Sequence, residues 1–263
     1  MKKILFRLIL MTIFFGGALN VFAASSMTQP VKKIVVYQVP VLVYHSFGPI
    51  PVKKESPSQT HYRVTAGAFE AQMKYLSANG YHPISFTDYV NSLKNDTKLP
   101  DRAVVLSFDD GWKTQYQYAV PILEKYKFSA TFFIVTNYVD GNYPAYMSWN
   151  DLKDLVKNNF DIESHTKSHL ILTKLNSIKL ADELGGSKKT LENKLGIKVT
   201  TLAYPNYMQN KTVQDALKSA GYLGARTGWT PFKNSIDHIY ELKAQEVVNN
   251  PNPFSSKRLP DLP

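Results

Sequence analysis

Cysteine is absent from the 263 residues. That excludes disulfides, thiolate-bound zinc, iron–sulfur clusters, thiol catalysis and a lipidated N-terminal cysteine. Any metal must be held by His, Asp or Glu. Acidic residues are the minority charge, 21 against 31 Lys and Arg, for a formal net charge of +10. Beyond the first two dozen residues there is no apolar run long enough to span a membrane. What is present is ordinary for a folded chain: 44% apolar and 20% charged residues exclude wholesale disorder. The length suits one or two ordinary domains, or a single large α/β barrel.

Lys2, Lys3 and Arg7 precede a mostly apolar stretch from Leu8 to Ala18, and Val21-Phe22-Ala23-Ala24 offers small residues for cleavage. This reads as a secretory signal over residues 1–23, with an uncleaved anchor as the alternative. The mature region, 24–263, then carries +7. The protein is expected to be exported, whether secreted, at the cell surface or in a periplasm. Its basic surface suits peripheral contact with an anionic envelope rather than nucleic acid. Simple solubility explains it equally well, because the Lys residues are scattered.

Strand and helix signals alternate along the mature region. Short apolar runs at 41–44, 103–108, 130–135, 160–164, 199–204 and 222–225 read as strands. Helices are expected from about Thr65 to Gly80, 87–94, 114–126, 148–158, 178–195 and 211–220. Thr65 and Ser148 are candidate N-caps. Pro121 and Gly185-Gly186 are awkward inside their helices and predict a kink, a late start or a break. Residues 48–60 read as an exposed loop, and the Pro-rich last dozen as an extended tail. This alternation predicts a mainly parallel sheet or barrel in one domain, with chemistry at the C-terminal ends of the strands.

Three polar groups fall at such ends. Ser107-Phe108-Asp109-Asp110-Gly111 places two carboxylates after a buried strand. Adjacent residues on extended backbone point apart, so one could hold a cation and the other a proton. A plain Asp-Asp-Gly turn is the bland alternative. His165-Thr166-Lys167-Ser168-His169 spaces two imidazoles four apart, on one face if the segment is helical. Surface or capping histidines are the alternative. Ala203-Tyr204-Pro205-Asn206 is either a simple turn or a place where neighbouring amides meet a substrate oxygen. Tyr44-His45 ends the first apolar strand in the same way, whereas His61, His82 and His238 lack such company. Two His and one Asp leave an open metal position for water, and a second carboxylate could take its proton.

Together, the Asp pair and the His pair resemble the polysaccharide deacetylases of carbohydrate esterase family 4. The resemblance spans about residues 41–248 and includes Ala130-Thr131-Phe132-Phe133 and Ser148-Trp149. It implies a distorted (β/α) barrel of about seven parallel strands in a single catalytic domain. It also implies Asp109 as general base and Asp110, His165 and His169 as ligands of a divalent metal, commonly zinc. Activated water would attack the N-acetyl carbonyl of an N-acetylglucosamine residue. An amide near Tyr204 and Pro205 would hold the oxyanion, Trp112 would lie near the site, and a His would protonate the leaving amine.

Two departures matter. Ala203 stands where many members have an Arg that orients the base, and a late Leu-x-His segment is absent. Tyr44-His45 and Ala203-Tyr204-Pro205 are instead similar to the branch acting on poly-β-1,6-N-acetylglucosamine, a biofilm polysaccharide, in which the early His is the acid. Asn206 and Lys243 depart from that branch. The resemblance therefore implies a metal-dependent N-deacetylase of this exported polymer, acting as a monomer. The alternatives are a peptidoglycan or chitin-oligomer deacetylase, a non-catalytic glycan-binding protein, and an unrelated metal hydrolase.

Overall fold

The computed structural model describes residues 36–37, 39–49, 60–228 and 234–248. The expected signal segment, most of the 48–60 loop and the Pro-rich tail lie outside the described residues. In chain order the strands are β1 (Val36–Tyr37), β2 (Val41–Tyr44), β3 (His82–Ile84), β4 (Ala103–Phe108), β5 (Thr131–Ile134), β6 (Asp161–Ser164), β7 (Thr201–Ala203), β8 (Gly224–Arg226), β9 (Asn234–Ser235) and β10 (Gln245–Glu246). β1 and β9 form a small antiparallel pair.

The main sheet runs β10-β2-β4-β5-β6-β7-β8, with β3 also pairing β4. Every pairing in it is parallel. A further parallel bridge joins Arg226 on β8 to Leu242, just before β10. This is the distorted (β/α) barrel that the alternation and the resemblance predict. Its distortion has a visible cause. β2 lies along Val105 to Phe108 on β4. β3 pairs with residues 103–105 of β4, and β5 only with Ser107 and Phe108.

Successive side chains on a strand face opposite ways, and here both faces are buried. Leu42, Tyr44, Leu106, Phe108, Phe132 and Ile162 pack in one cluster with Phe69, Met73 and Leu76 of the helix Ala66–Ala78. Val41, Val43, Val105, Phe133 and Ala203 point the other way and meet Phe86, Tyr89, Val90 and Leu93. These four belong to the helix Phe86–Asn95, which therefore fills the space enclosed by the strands. Each such apolar side chain contributes roughly 1.5–3 kcal/mol on burial. The close approach needs Gly224, where a Cβ would lie 2.9 Å from both Val90 methyls and 3.1 Å from the Ile239 carbonyl.

The expected caps are present. Thr65 accepts from Ala68 N–H, and Ser148 forms a reciprocal capping box with Asp151. The helix 114–126 continues through Pro121, where the sequence suggests a kink or a late start, and 178–195 is not interrupted at Gly185-Gly186. Each runs through a π-helical segment, Gln115–Ala119 and Asp182–Gly186. Pro121 is the second residue of the α-helix Val120–Tyr126, which continues directly from the first π segment. Gly185-Gly186 is absorbed in the second π segment. Among the described residues no helix is long and apolar enough to cross a membrane.

Candidate active site

Five strands deliver side chains to one end of the barrel. Asp109 and Asp110 follow β4, His45 follows β2, His165 follows β6, Ala203 ends β7 and Arg226 ends β8. Asp110 has φ 74°, a conformation that Asp tolerates better than most residues. The two neighbouring carboxylates consequently face different partners.

Asp109 is buried and receives a hydrogen bond from the guanidinium of Arg226. Its other oxygen lies 4.0 Å from His45 Nε2. Arg226 is fully buried, with its guanidinium 4.9 Å above the Phe133 ring. Sequence reading stopped that strand at Ala225 and missed Arg226. The guanidinium that Ala203 cannot supply reaches Asp109 from the neighbouring strand. Gln115 was also missed: its amide donates to the carbonyls of both His45 and Asp109, tying two strand ends together.

Asp110 faces the two other histidines. Its Oδ1 is 3.5 Å from His165 Nε2 and 3.4 Å from His169 Nε2. Trp112 Nε1 donates to its Oδ2 at 2.8 Å. His165 Nδ1 lies 2.8 Å from the Ala203 carbonyl. A carbonyl only accepts, so Nδ1 carries the proton and Nε2 keeps its lone pair for the site. The segment that carries the His pair is not helical. It lies on a loop, with Thr166 and His169 at positive φ, and the two rings are 4.8 Å apart.

These residues fit a divalent cation. One donor atom from each of Asp110, His165 and His169 lies within 4.8 Å of the others. Ligands about 2.0–2.2 Å from a tetrahedral zinc lie roughly 3.4 Å apart, close to the two imidazole–carboxylate spacings here. The electrostatics agree. Burial opposes ionisation of Asp110, but the hydrogen bond to His165 and the charges of His165, His45 and His169 hold it well below the usual carboxylate range. Burial opposes protonation of His165, while Asp109 and Asp110 lift it above its ordinary value. Burial and His165 lower His169.

A cleft of about 480 Å³ opens beside this cluster, lined by His45, Tyr62, Asp110, Trp112, Pro144 and Ala145 among others. Trp112 stacks on Tyr146 at 4.6 Å, so the ring that holds Asp110 also walls the cleft. Tyr204 is placed differently from Trp112. It is fully buried, its N–H donates to Arg226 O and its hydroxyl to Tyr240 O. Pro205 has no N–H, and Tyr207 N–H returns to Tyr204 O. Any oxyanion contact from this turn therefore falls to Asn206 N–H. The Lys243 backbone N–H donates to Asn234 Oδ1. His61 packs on Tyr62, His82 bonds the Asp101 carbonyl and His238 pairs with Glu241, so none joins the cluster.

Comparison with known proteins gives a consistent picture. The polysaccharide deacetylase family matches residues 96–225. The chain is 31% identical over 185 residues to the Bacillus subtilis protein YxkH, named for that family, covering 70% of this chain and 62% of the relative. It thus spans less than two thirds of that relative's length. It is 32% identical over 211 residues to a Staphylococcus aureus poly-β-1,6-N-acetyl-D-glucosamine N-deacetylase, covering 76% of this chain and 68% of the relative. Its fold matches the Streptococcus pyogenes deacetylase PplD, solved with acetate, with a TM-score of 0.74 and 23% identity over 84% of this chain and 96% of that one.

Proposed function

The chain belongs to the polysaccharide deacetylase family, and on that premise we propose that it is a metal-dependent N-deacetylase of exported poly-β-1,6-N-acetylglucosamine. The observation that carries the chemistry is the division of labour between adjacent carboxylates. Asp110 joins His165 and His169 around a space fit for a cation, while Asp109 is held by Arg226 and faces His45. The similarity to the staphylococcal deacetylase supports the choice of polymer. So does the His that follows β2, which stands beside Asp109 at the cleft.

A divalent cation, zinc by preference for this N/O donor set, would polarise the acetyl carbonyl and acidify a water. Asp109 takes the proton of the attacking water, and Arg226 keeps that carboxylate aimed. His45 hands a proton to the departing amine, leaving acetate and glucosamine. Trp112 holds Asp110 and offers one wall to the sugar. Export rests on the N-terminal pattern of charge and apolar residues. An N-terminus at Ala24 in protein recovered from the envelope or medium would support cleavage, and one at Met1 would favour an anchor.

The test is release of acetate from β-1,6-linked N-acetylglucosamine oligomers, alongside chitin oligomers and peptidoglycan, with chelator and with zinc restored. Chelator-sensitive release from the β-1,6 oligomers is expected. Release only from the others would move the substrate and keep the chemistry. No release by zinc-loaded protein would leave a glycan-binding role.

A further inference from the structure

The loop between the two histidine ligands is held in an unfavourable shape. Thr166 has φ 69° and His169 φ 58°, and a β-branched residue in that region persists only where its surroundings fix it. All five backbone N–H groups of the loop are accounted for. His165 donates to Ile134 O at 2.9 Å. Thr166 donates to Ser164 Oγ and His169 to Thr166 Oγ1, both at 3.1 Å. The two in the middle, Lys167 and Ser168, converge on one oxygen, Oε2 of Glu183, at 3.0 and 2.8 Å. The carbonyls of Thr166 and Lys167 are taken by the N–H groups of Thr136 and Asn137.

Glu183 is buried and comes from the π segment Asp182–Gly186. Ser187 Oγ donates to its carbonyl and pairs with Ser164 Oγ at the end of β6. The carboxylate is thus anchored to the strand that precedes the loop. Its place is one position removed from the ligands, where an acceptor can set their aim without touching the cation.

We propose that Glu183 is a positioning residue for the metal site: through the Lys167 and Ser168 amides it fixes the loop that aims His165 and His169 at a divalent cation. This rests on the reading of Asp110, His165 and His169 as ligands. The reach of its oxygen to both amides carries the effect, and its charge is secondary.

The experiment titrates full-length, chelator-stripped protein with Zn2+ against a chromophoric competitor, and records the melting temperature of the metal-free form in parallel. Glu183→Ala is expected to weaken zinc binding about 10–100-fold. Glu183→Gln keeps an acceptor oxygen at the same reach and stays within about fivefold of the parent. Glu183→Asp keeps the charge, loses the reach and binds more weakly than Glu183→Gln. A purely structural role would lower the melting temperature and leave the affinity of folded protein unchanged, and that result for Glu183→Ala overturns the proposal. If Glu183→Ala does not fold, the order of Asp and Gln decides, and tighter binding by Asp overturns it. A parent protein that binds no zinc sinks the ligand assignment itself, whereas a parent that binds with an indifferent Glu183 sinks only this inference.

Discussion

Asp109 and Asp110 stand at the mouth of the barrel, whereas Asp161 and Glu163 stand together on β6, on the side opposite the core residue Ile162. Each place holds two carboxylates, but the company differs. Asp110 is surrounded by imidazoles and Asp109 is met by Arg226. Glu163 receives only hydroxyls and amides: Thr87 Oγ1, Thr200 N–H and Oγ1, and Thr201 N–H. Asp110 is held down, while burial and the charge of Asp161 push Glu163 up to about 8. Paired acids do chemistry where cationic partners and an open cleft meet them. Without these, the same residues brace a wall: Glu163 joins β7 and the inner helix to β6, where β6 and β7 pair directly at only Ser164 and Leu202.

Breaking the mouth should cost most. On the proposed roles, Asp109→Asn removes the base but not the ligands, so kcat for acetate release should fall about 10²–10⁴-fold, with zinc binding retained by titration. An active variant would reassign the base. Arg226→Met leaves a buried carboxylate short of its cation and should cost about 3–5 kcal/mol in urea unfolding. A loss below about 1 kcal/mol would mean that other groups already compensate Asp109. His45→Ala should lower turnover about 100-fold and keep the metal, and an unchanged rate would leave water as the proton donor.

The inner pair should show a smaller effect, in stability alone. The folded pKa of Glu163 lies above its unfolded value, so the folded chain binds more protons between the ordinary carboxylate range and about 8. Its contribution is full at the low end of that window and is lost as pH rises through about 8. Glu163→Gln should flatten this part of the dependence of melting temperature on pH, whatever its overall level. An unchanged slope would mean that Glu163 does not titrate there.

Much of the mouth was legible because its residues cluster in the sequence after apolar runs. The bounds of β2 and β4 are those that the apolar runs suggest, and Asp109, Asp110 and His45 follow directly. Arg226 was not legible, because its partner lies 117 residues away and a lone Arg after a short strand carries no pattern. Extending that strand by one residue, and applying the same strand-end rule, would have found it. β3 and β10 were missed because each is only two or three residues long and is defined by its neighbour rather than its own apolarity. The shape of the His loop was not legible, because spacing records how far apart two residues are and not the positive φ angles between them.

The two π-helical segments carry a further consequence. Each takes one extra residue into a wider turn, so the α-helical turns on either side stay in phase. Gln115 opens the first and Glu183 lies in the second, and both turn toward the strand ends. A regular α-helix advances about 100° per residue. A residue inserted into or deleted from the regular turns beside either segment would rotate everything on one side by that angle. Gln115 would swing off the two strand-end carbonyls, or Glu183 off the His loop, with no other residue changed. In these helices the length of the chain, counted one residue at a time, is as much a part of the site as the identity of its side chains.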